Sequence, residues 1–310
     1  MRVLVAGASG AIGRPLSRQL VAAGHEVTGI TSNPANAPLV EQNGARAVVC
    51  DALDAGALTA AVAEARPEVV ISQLTRLPKD DYDPRTIDYG PTNRARRGGN
   101  NLLAAARTVG TRRFITQTIA FIYAPEGGWV KDETAPAWTD PPEPFRSGAG
   151  PTLEHEREVL EADGIEGLVL RYGQFYGPGT YYALDGGTAR RVRSRRFPIV
   201  GRGDGVFSFI HVEDAAAATV AASERGAPGI YNVVYDEPAP LREWLPVYAE
   251  AVGAKRPFRI PTWIGRIFGG PFATLMATEL RGASNAKAKR ELEWQPRYPS
   301  WRQGFAEALG

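Results

Sequence analysis

The sequence predicts an α/β fold built on a doubly wound parallel sheet. Three observations predict it. Short apolar runs alternate with helix-period stretches through the first half, a glycine-rich turn separates the first run from the first helix, and the texture changes after Tyr176-Gly177-Pro178-Gly179. Such alternation marks strands joined by covering helices, with right-handed crossovers.

Arg2–Ala6 reads as the first strand and Ile12–Ala23 as the first helix. His25–Ile30, Ala45–Cys50, Val69–Gln73, Arg113–Gln117 and Leu168–Tyr172 read as further strands. Ala55–Glu64, Asn100–Val109 and a stretch from about Thr152 to Ala162 read as helices between them. Residues 124–150 hold many Pro and Gly and few periodic apolar positions, which predicts a long loop of the kind that often carries function. Beyond residue 176 Gly and Pro become frequent and Arg clusters appear, so smaller elements are expected at one end of the sheet. Phe207–Val212 and Gly229–Val234 are apolar enough to return to it.

The 310 residues allow one large domain or two modest ones. Hydrophobic residues at 44% and charged residues at 23% exclude disorder and collagen-like repeats. A net charge of +2, from 36 basic and 34 acidic residues, leaves no electrostatic footprint for nucleic acid or a membrane surface. Cys50 is the only cysteine, which excludes an intrachain disulfide and a multi-cysteine metal site. No apolar run reaches the ~18 residues of a membrane helix. The chain opens directly on a strand pattern with no room for a signal peptide, so a cytoplasmic protein is expected.

The strongest motif is Gly7-Ala8-Ser9-Gly10-Ala11-Ile12-Gly13, between the first strand and the first helix. Glycines there permit a tight turn, let backbone approach a pyrophosphate and allow the helix to pack on the sheet. Free N–H groups at the helix start then face the anion. In this context the turn predicts a Rossmann dinucleotide site. Its expected lining is Gly7, Ser9, Gly10, Ala11, Ile12, Gly13 and Arg14, with Ser32, Asp51, Ala52 and Gln73 at the ends of the next strands.

A ribose-binding carboxylate is expected at the end of the second strand, and the sequence has Thr31-Ser32-Asn33 instead. That disfavours NAD. Arg14 is a candidate for the 2′-phosphate of NADP or a solvated residue of the first helical turn, and the reading leans to NADP. Asp51 is placed either to meet the adenine edge or to cap the following helix. The organisation expected is a dinucleotide-binding domain over residues 1–175 and a mainly substrate-binding region over 176–310, with 206–235 returning to the core.

At this point the chain resembles the extended short-chain dehydrogenase/reductase family, which includes nucleotide-sugar epimerases, dehydratases and dihydroflavonol-type reductases. Nearly all of the chain takes part. The resemblance rests on Gly7, Gly10 and Gly13, Asp51, Asn101-Leu102-Leu103-Ala104-Ala105-Ala106, Phe121-Ile122-Tyr123 and Leu170-Arg171-Tyr172-Gly173. It continues through Tyr176-Gly177-Pro178-Gly179, Phe209-Ile210-His211-Val212-Glu213-Asp214, Tyr231-Asn232-Val233 and the closing segment from Ala288 to Pro296. It implies a nicotinamide cofactor, a small-molecule substrate and a homodimer.

The resemblance also implies a catalytic Tyr, a Lys four residues later on the same helix, and a Ser or Thr after the fifth strand. The Lys depresses the Tyr pKa so that the phenol moves a proton while hydride moves to or from the nicotinamide. Anchored on Glu156, the Tyr position is Gly148 and the Lys position is Thr152. No Tyr or Lys occurs between Ala135 and Ile165, so no shift of alignment restores the pair. The Ser/Thr position falls on Ile119. Adjacent Thr118 would face the other way unless the strand is bulged.

Nucleotide-sugar members also carry an Arg just before the Phe-Ile-His-Val segment. Phe207-Ser208-Phe209 stands there instead, which argues against a nucleotide-diphosphate sugar. The run from Arg190 to Arg196 is either an anion contact or a solvated face.

Candidate replacements for the missing acid and base are Tyr123, His155 and Thr118. Tyr123 ends its strand at the usual ligand crevice, though the family often packs a Tyr there. His155 titrates near neutrality and shares a helical face with Thr152, though a lone helix His also serves surface or core. Tyr176 and Tyr181 are candidate substrate contacts, and Tyr182 and Trp129 could line an apolar cavity or simply pack. His211 is expected to position Asp214 and nearby backbone. Adjacent helix residues cannot converge on one ion, so Glu154-His155-Glu156 is not a metal site and no metal is expected.

The leading functional reading is an NAD(P)-dependent oxidoreductase acting on a small non-nucleotide carbonyl or alcohol with a non-standard proton donor. Two alternatives remain. One is a non-redox isomerase, epimerase, dehydratase or cyclase on the same scaffold; the other is a non-catalytic dinucleotide-binding regulator.

Overall fold

The structure is a computed structural model that describes residues 1–76 and 87–309. Its first half runs β1 (Arg2–Ala6), α1 (Gly13–Ala22), β2 (Glu26–Thr31), α2 (Ala37–Gln42), β3 (Arg46–Val49), α3 (Ala55–Ala65) and β4 (Val69–Ser72). It continues with α4 (Gly90–Thr108), β5 (Arg113–Ile119), β6 (Val130–Lys131), α5 (Arg146–Leu160) and β7 (Glu166–Tyr172). The second half holds β8 (Gln174–Tyr176), α6 (Gly187–Arg193), β9 (Ile199–Val200), β10 (Val206–Phe207), β11 (Phe209–His211), α7 (Val212–Glu224) and β12 (Gly229–Val233). After β13 (Ala239–Pro240) come α8 (Leu241–Ala251), β14 (Arg259–Ile260), α9 (Thr262–Glu279, broken at Gly270), β15 (Gly282–Ala283), α10 (Ala286–Glu291) and α11 (Trp301–Glu307).

Seven strands form one parallel sheet in the order β12-β7-β5-β4-β1-β2-β3. Both faces are covered, which is why the strand sequences read as continuous apolar runs rather than alternating ones. Val3, Val5, Ile71, Ile115 and Leu168 serve the core on one face, and Leu4, Ala6, Val70, Phe114 and Val169 that on the other. The chain leaves β1 toward β2 and returns to β4 on β1's opposite side. Strand order therefore reverses between β1 and β4, and such a switch point opens a crevice at the carboxyl ends of the strands.

Three elements depart from the sequence expectation. Helix α4 starts at Gly90, ten residues before the expected Asn100. Its Gly98-Gly99 pair is tolerated because packing needs it: a Cβ on Gly98 would stand 2.8 Å from the Ala52 methyl, and one on Gly99 3.1 Å from the His155 ring.

Helix α5 starts at Arg146 rather than about Thr152 and runs through Pro151. Proline there cannot donate to the Ser147 carbonyl four residues back. That carbonyl instead accepts from Asn93 Nδ2 of α4 at 2.9 Å, while Phe145 and Ala149 anchor the early turn in the core. Finally, Gly229–Val233 joins the sheet beside β7, whereas Phe209–His211 pairs in parallel with β8 in a separate two-stranded ribbon. No helix among the described residues is long and apolar enough to cross a membrane.

Candidate active site

The glycine turn is held by contacts that exclude side chains. Gly7 has φ +84°, and a Cβ there would lie 2.8 Å from the Gln73 carbonyl oxygen. A Cβ on Gly13 would stand 2.2 Å from the Gly7 carbonyl oxygen, so the first turn of α1 lies directly on the loop. Gly10 is open by comparison, its nearest neighbour being the same oxygen at 3.2 Å. Ile12 stands at the N-cap of α1, which has no side-chain cap and no acidic residue in its first turn. The Arg14 N–H donates to the Gly10 carbonyl at 3.1 Å, and the helix start, free of negative side chains, suits an anion.

Around this turn the other expected cofactor residues take definite positions. Ser9 Oγ lies 3.1 Å from Thr31 Oγ1, and Asn36 Nδ2 donates to it at 3.4 Å. Ser32 is exposed at the end of β2. Asp51 accepts from the Leu53 N–H at 3.0 Å, and the cap of α3 is Asp54 rather than Asp51. Arg14 Nε donates to the Gly10 carbonyl at 3.4 Å, and a Cβ on Gly179 would meet its Nη2 at 2.9 Å. The guanidinium thus lies between the glycine turn and the turn after β8. Gln73 is buried, donates through Nε2 to the Tyr172 hydroxyl at 3.3 Å, and keeps a buried Oε1 with no partner among the described residues. Glycines that a Cβ would jam, an uncapped helix start and an orphaned amide oxygen together fit a dinucleotide.

The three positions of the family's catalytic set carry no acid or base. Gly148 and Thr152 are buried in α5, and the Thr152 hydroxyl donates to the Gly148 carbonyl at 2.6 Å. Ile119 packs with Tyr89, Phe121, Phe145 and Phe272 in an apolar cluster, in which Phe145 stacks on Phe272 with centroids 4.7 Å apart.

Among the replacement candidates, Tyr123 is 2% exposed and its hydroxyl donates to Asn232 Oδ1 at 2.7 Å. Burial raises its pKa, against the opposing pull of Arg171, whose guanidinium lies 5.1 Å from the ring centre. Thr118 shares a strand face with Thr116 and donates to Glu156 Oε1 at 2.6 Å. Glu156 forms a two-pronged ion pair with Arg171, Nε to Oε1 at 3.0 Å and Nη2 to Oε2 at 2.5 Å. Burial disfavours the Arg171 charge, but Glu156 outweighs it and holds the guanidinium above its ordinary value.

His155 is 4% exposed. Its Nε2 lies 2.8 Å from Thr116 Oγ1 and its Nδ1 lies 2.5 Å from Asn100 Oδ1. The Asn oxygen only accepts, so the network assigns the proton to Nδ1 and makes Thr116 the donor to Nε2. Burial, with the nearby Arg96 charge, lowers its pKa from 6.5 to about 4. The unfolded chain takes up this proton near 6.5 and the folded chain does not, so the linked stability is whole above pH 6.5 and drains away as pH falls toward 4. At about 1.4 kcal/mol per pKa unit this amounts to roughly 3 kcal/mol. Urea melts across that range should show a steeper loss for the native protein than for His155→Gln. Equal slopes would place the shift elsewhere.

The substrate candidates differ in burial. Tyr176 is wholly buried, its hydroxyl 2.8 Å from that of Tyr235, whereas Tyr181 is only half-buried. Tyr235 in turn donates to Asp214 Oδ2 at 2.9 Å. His211 caps α7 by accepting the Glu213 N–H, and Asp214 takes its partners from Tyr235 and the backbone of Arg297 and Tyr298. In the arginine run, Arg193 donates to the Leu184 and Val252 carbonyls. Arg191 and Arg195 lie over Phe197 and Phe258. Ser208, where nucleotide-sugar members carry an Arg, accepts the Ala283 N–H at 2.9 Å.

Residues 3–234 match the model of the NAD-dependent epimerase/dehydratase family. The chain belongs to that family. Among its relatives is a 3-diazoavenalumate denitrifying reductase from a Streptomyces species, 47% identical over 307 residues that cover 98% of this chain and 99% of that protein. A 2-alkyl-3-oxoalkanoate reductase of Stenotrophomonas maltophilia is 29% identical over 83% of this chain and 77% of its own. Among solved structures, the UDP-glucose 4-epimerase of Thermus thermophilus in complex with NAD superposes with a TM-score of 0.74. It is 25% identical, over all of this chain and 98% of that one.

Within this epimerase/dehydratase scaffold, several residues around the catalytic positions escaped sequence reasoning. Tyr89 at the start of α4 is buried against Gly148, and a Cβ on Gly148 would come within 2.6 Å of its ring. Arg96, two turns further along α4 on the same face, is half-buried within electrostatic reach of Tyr89, His155 and Glu156. Asn100 orients His155. The available signal was the Gly98-Gly99 pair, which marks where another helix approaches closely, but its partner could not be read from spacing.

Proposed function

We propose that this chain is an NADPH-dependent reductase that removes nitrogen from a small diazo compound. The observation that carries this reading is the full-length 47% match to a diazo-compound denitrifying reductase in a chain whose Tyr and Lys positions hold Gly148 and Thr152. Reducing a carbonyl leaves an alkoxide that must be protonated, which is the work of the Tyr–Lys pair. A diazo carbon ends differently. It gains a C–H bond as its C–N bond breaks, and that bond's electrons depart with dinitrogen. A cationic diazonium therefore needs only hydride, and a neutral diazo compound needs one hydride and one proton.

Bound nicotinamide supplies the hydride. The protein's own part is to hold the dinucleotide through Gly7, Gly10, Gly13, Arg14 and the start of α1, and to offer the substrate an apolar floor. The Ile119, Phe121, Phe145 and Phe272 cluster suits an aryl group. Ser32 and Asn33 put no carboxylate at the end of β2, which leaves room for the 2′-phosphate of NADPH.

The test is to incubate purified protein with NADPH or NADH and the diazoquinone formed from 2-hydroxybenzenediazonium. Nicotinamide absorbance and evolved dinitrogen are followed together. The expected result is one dinitrogen per NADPH consumed, with NADPH favoured over NADH. Oxidation of NADPH by a 3-oxo ester with none by the diazoquinone would overturn the diazo reading in favour of carbonyl reduction.

A further inference from the structure

The Tyr position of this chain is not simply empty. Gly148 lies under the ring of Tyr89, with an added Cβ 2.6 Å from Cδ1 and 2.9 Å from Cε1 and Cγ. Tyr89 belongs to the apolar cluster against which Ile119 packs, and its ring lies edge-on to Phe145 with centroids 6.3 Å apart. It arrives from α4, the neighbouring helix, rather than from α5. Any side chain at position 148 would displace it, so the glycine and the tyrosine are complementary.

A cation accompanies it. Arg96 lies seven residues along α4, about two helical turns and hence on the same face. Its charge is coupled to Tyr89 and to Glu156. Burial lowers its pKa to about 10, which still leaves it charged at neutral pH. Its Nη1 donates to Asn93 Oδ1 at 2.7 Å, and Asn93 is itself tied to the Ser147 carbonyl next to Gly148. Arg96 is thereby fixed relative to the Gly148 turn. A buried phenol with a fixed cation within electrostatic reach on the same helix face can play the parts of a Tyr–Lys pair.

We propose that Tyr89 presents its phenol to the substrate from α4, with Arg96 as the cation behind it, in place of the missing tyrosine and lysine of α5. Where the proton goes rests on the diazo reading above. The phenol gives its proton to the oxygen of a neutral diazoquinone, producing a hydroxyaryl diazonium. The resulting phenolate is stabilised by Arg96 and is reprotonated from water. The ring carbon then takes hydride as its C–N bond breaks and dinitrogen leaves. A substrate that is already a permanent cation needs no such proton.

Two probes separate these cases: the neutral diazoquinone from 2-hydroxybenzenediazonium, and 2-methoxybenzenediazonium, which cannot lose its charge. Tyr89→Phe keeps the ring in its cluster. It should lower kcat for the diazoquinone by about 100-fold, the lower end for a general acid. Turnover of the methoxy cation should stay within about threefold, because that substrate draws no proton.

An independent readout is binding of unreactive phenol by calorimetry in the presence of NADP. The dissociation constant should rise about tenfold in Tyr89→Phe, the loss of one good hydrogen bond. Equal losses on both probes, or no loss on either, would overturn the proposal. Unchanged phenol binding, or none in the native protein, would do so as well. If the native protein reduces neither probe, the diazo reading fails, and phenol binding alone still decides whether Tyr89 faces the substrate.

Discussion

Replacing Arg171 by Met is expected to destabilise the protein by about 3–5 kcal/mol, a larger effect than the deletion of any exposed ion pair in the molecule. Glu156 and Arg171 have side chains only 4% and 5% exposed, and they satisfy each other through two short bonds. Removing the guanidinium leaves a carboxylate in the core with the Thr118 hydroxyl as its hydrogen-bond donor and only the more distant Arg96 charge to offset it. The cost is the desolvation of a poorly compensated charge rather than the net worth of the pair. The double variant Glu156→Leu/Arg171→Met removes both charges, so it should recover most of the loss. Urea melts of native, single and double variants measure this directly. A single variant within about 1 kcal/mol of native would mean that water reaches Glu156.

This ion pair also shows where the sequence became illegible. Glu156 and Arg171 were both visible as parts of familiar segments, but they meet only because α5 packs against β5 and β7. Strand signals were legible because a parallel sheet covered on both faces demands apolar runs, and β1 appears with the predicted bounds. Helix starts were less so. The expected helices began at Asn100 and about Thr152, yet α4 and α5 run through Gly98-Gly99 and Pro151, because α4 gives α5 both room for His155 at Gly99 and a donor, Asn93, for the Ser147 carbonyl.

At the site, the glycine turn could be read because its requirement is local: backbone must come close to backbone. The residues at the positions that the resemblance assigns to the Tyr–Lys pair, Gly148 and Thr152, could be named from the sequence as well. What fills the gap could not, since Tyr89 lies 59 positions before Gly148 and reaches it only through helix packing. Tyr123, His155 and Thr118 were chosen for chemistry and position along the chain. All three have their polar atoms bonded inside the protein, to Asn232, to Thr116 and Asn100, and to Glu156.

Gly13→Ala and Gly10→Ala are expected to part company, although both alter the same turn. At Gly13 the new methyl would stand 2.2 Å from the Gly7 oxygen and 2.7 Å from Ala8 backbone atoms, none of which can swing away. The loop must open or α1 must shift. The expected outcome is a stability loss of about 1–3 kcal/mol from overpacking, together with a rise of at least about 100-fold in the NADPH dissociation constant. At Gly10 the nearest atom, the Gly7 carbonyl oxygen, is 3.2 Å away, so the loop must give by only a few tenths of an ångström and the stability loss should stay below about 1 kcal/mol. Cofactor binding should still weaken, by about tenfold or more, because the methyl occupies the space that backbone must leave for the pyrophosphate. Thermal melts without cofactor and fluorescence titrations with NADPH separate the two. If Gly10→Ala binds NADPH as the native protein does, the anion does not approach this loop, and the cofactor must be held chiefly by Arg14 and the start of α1. If Gly13→Ala binds normally, α1 is not fixed to the loop as the contact at Gly7 requires.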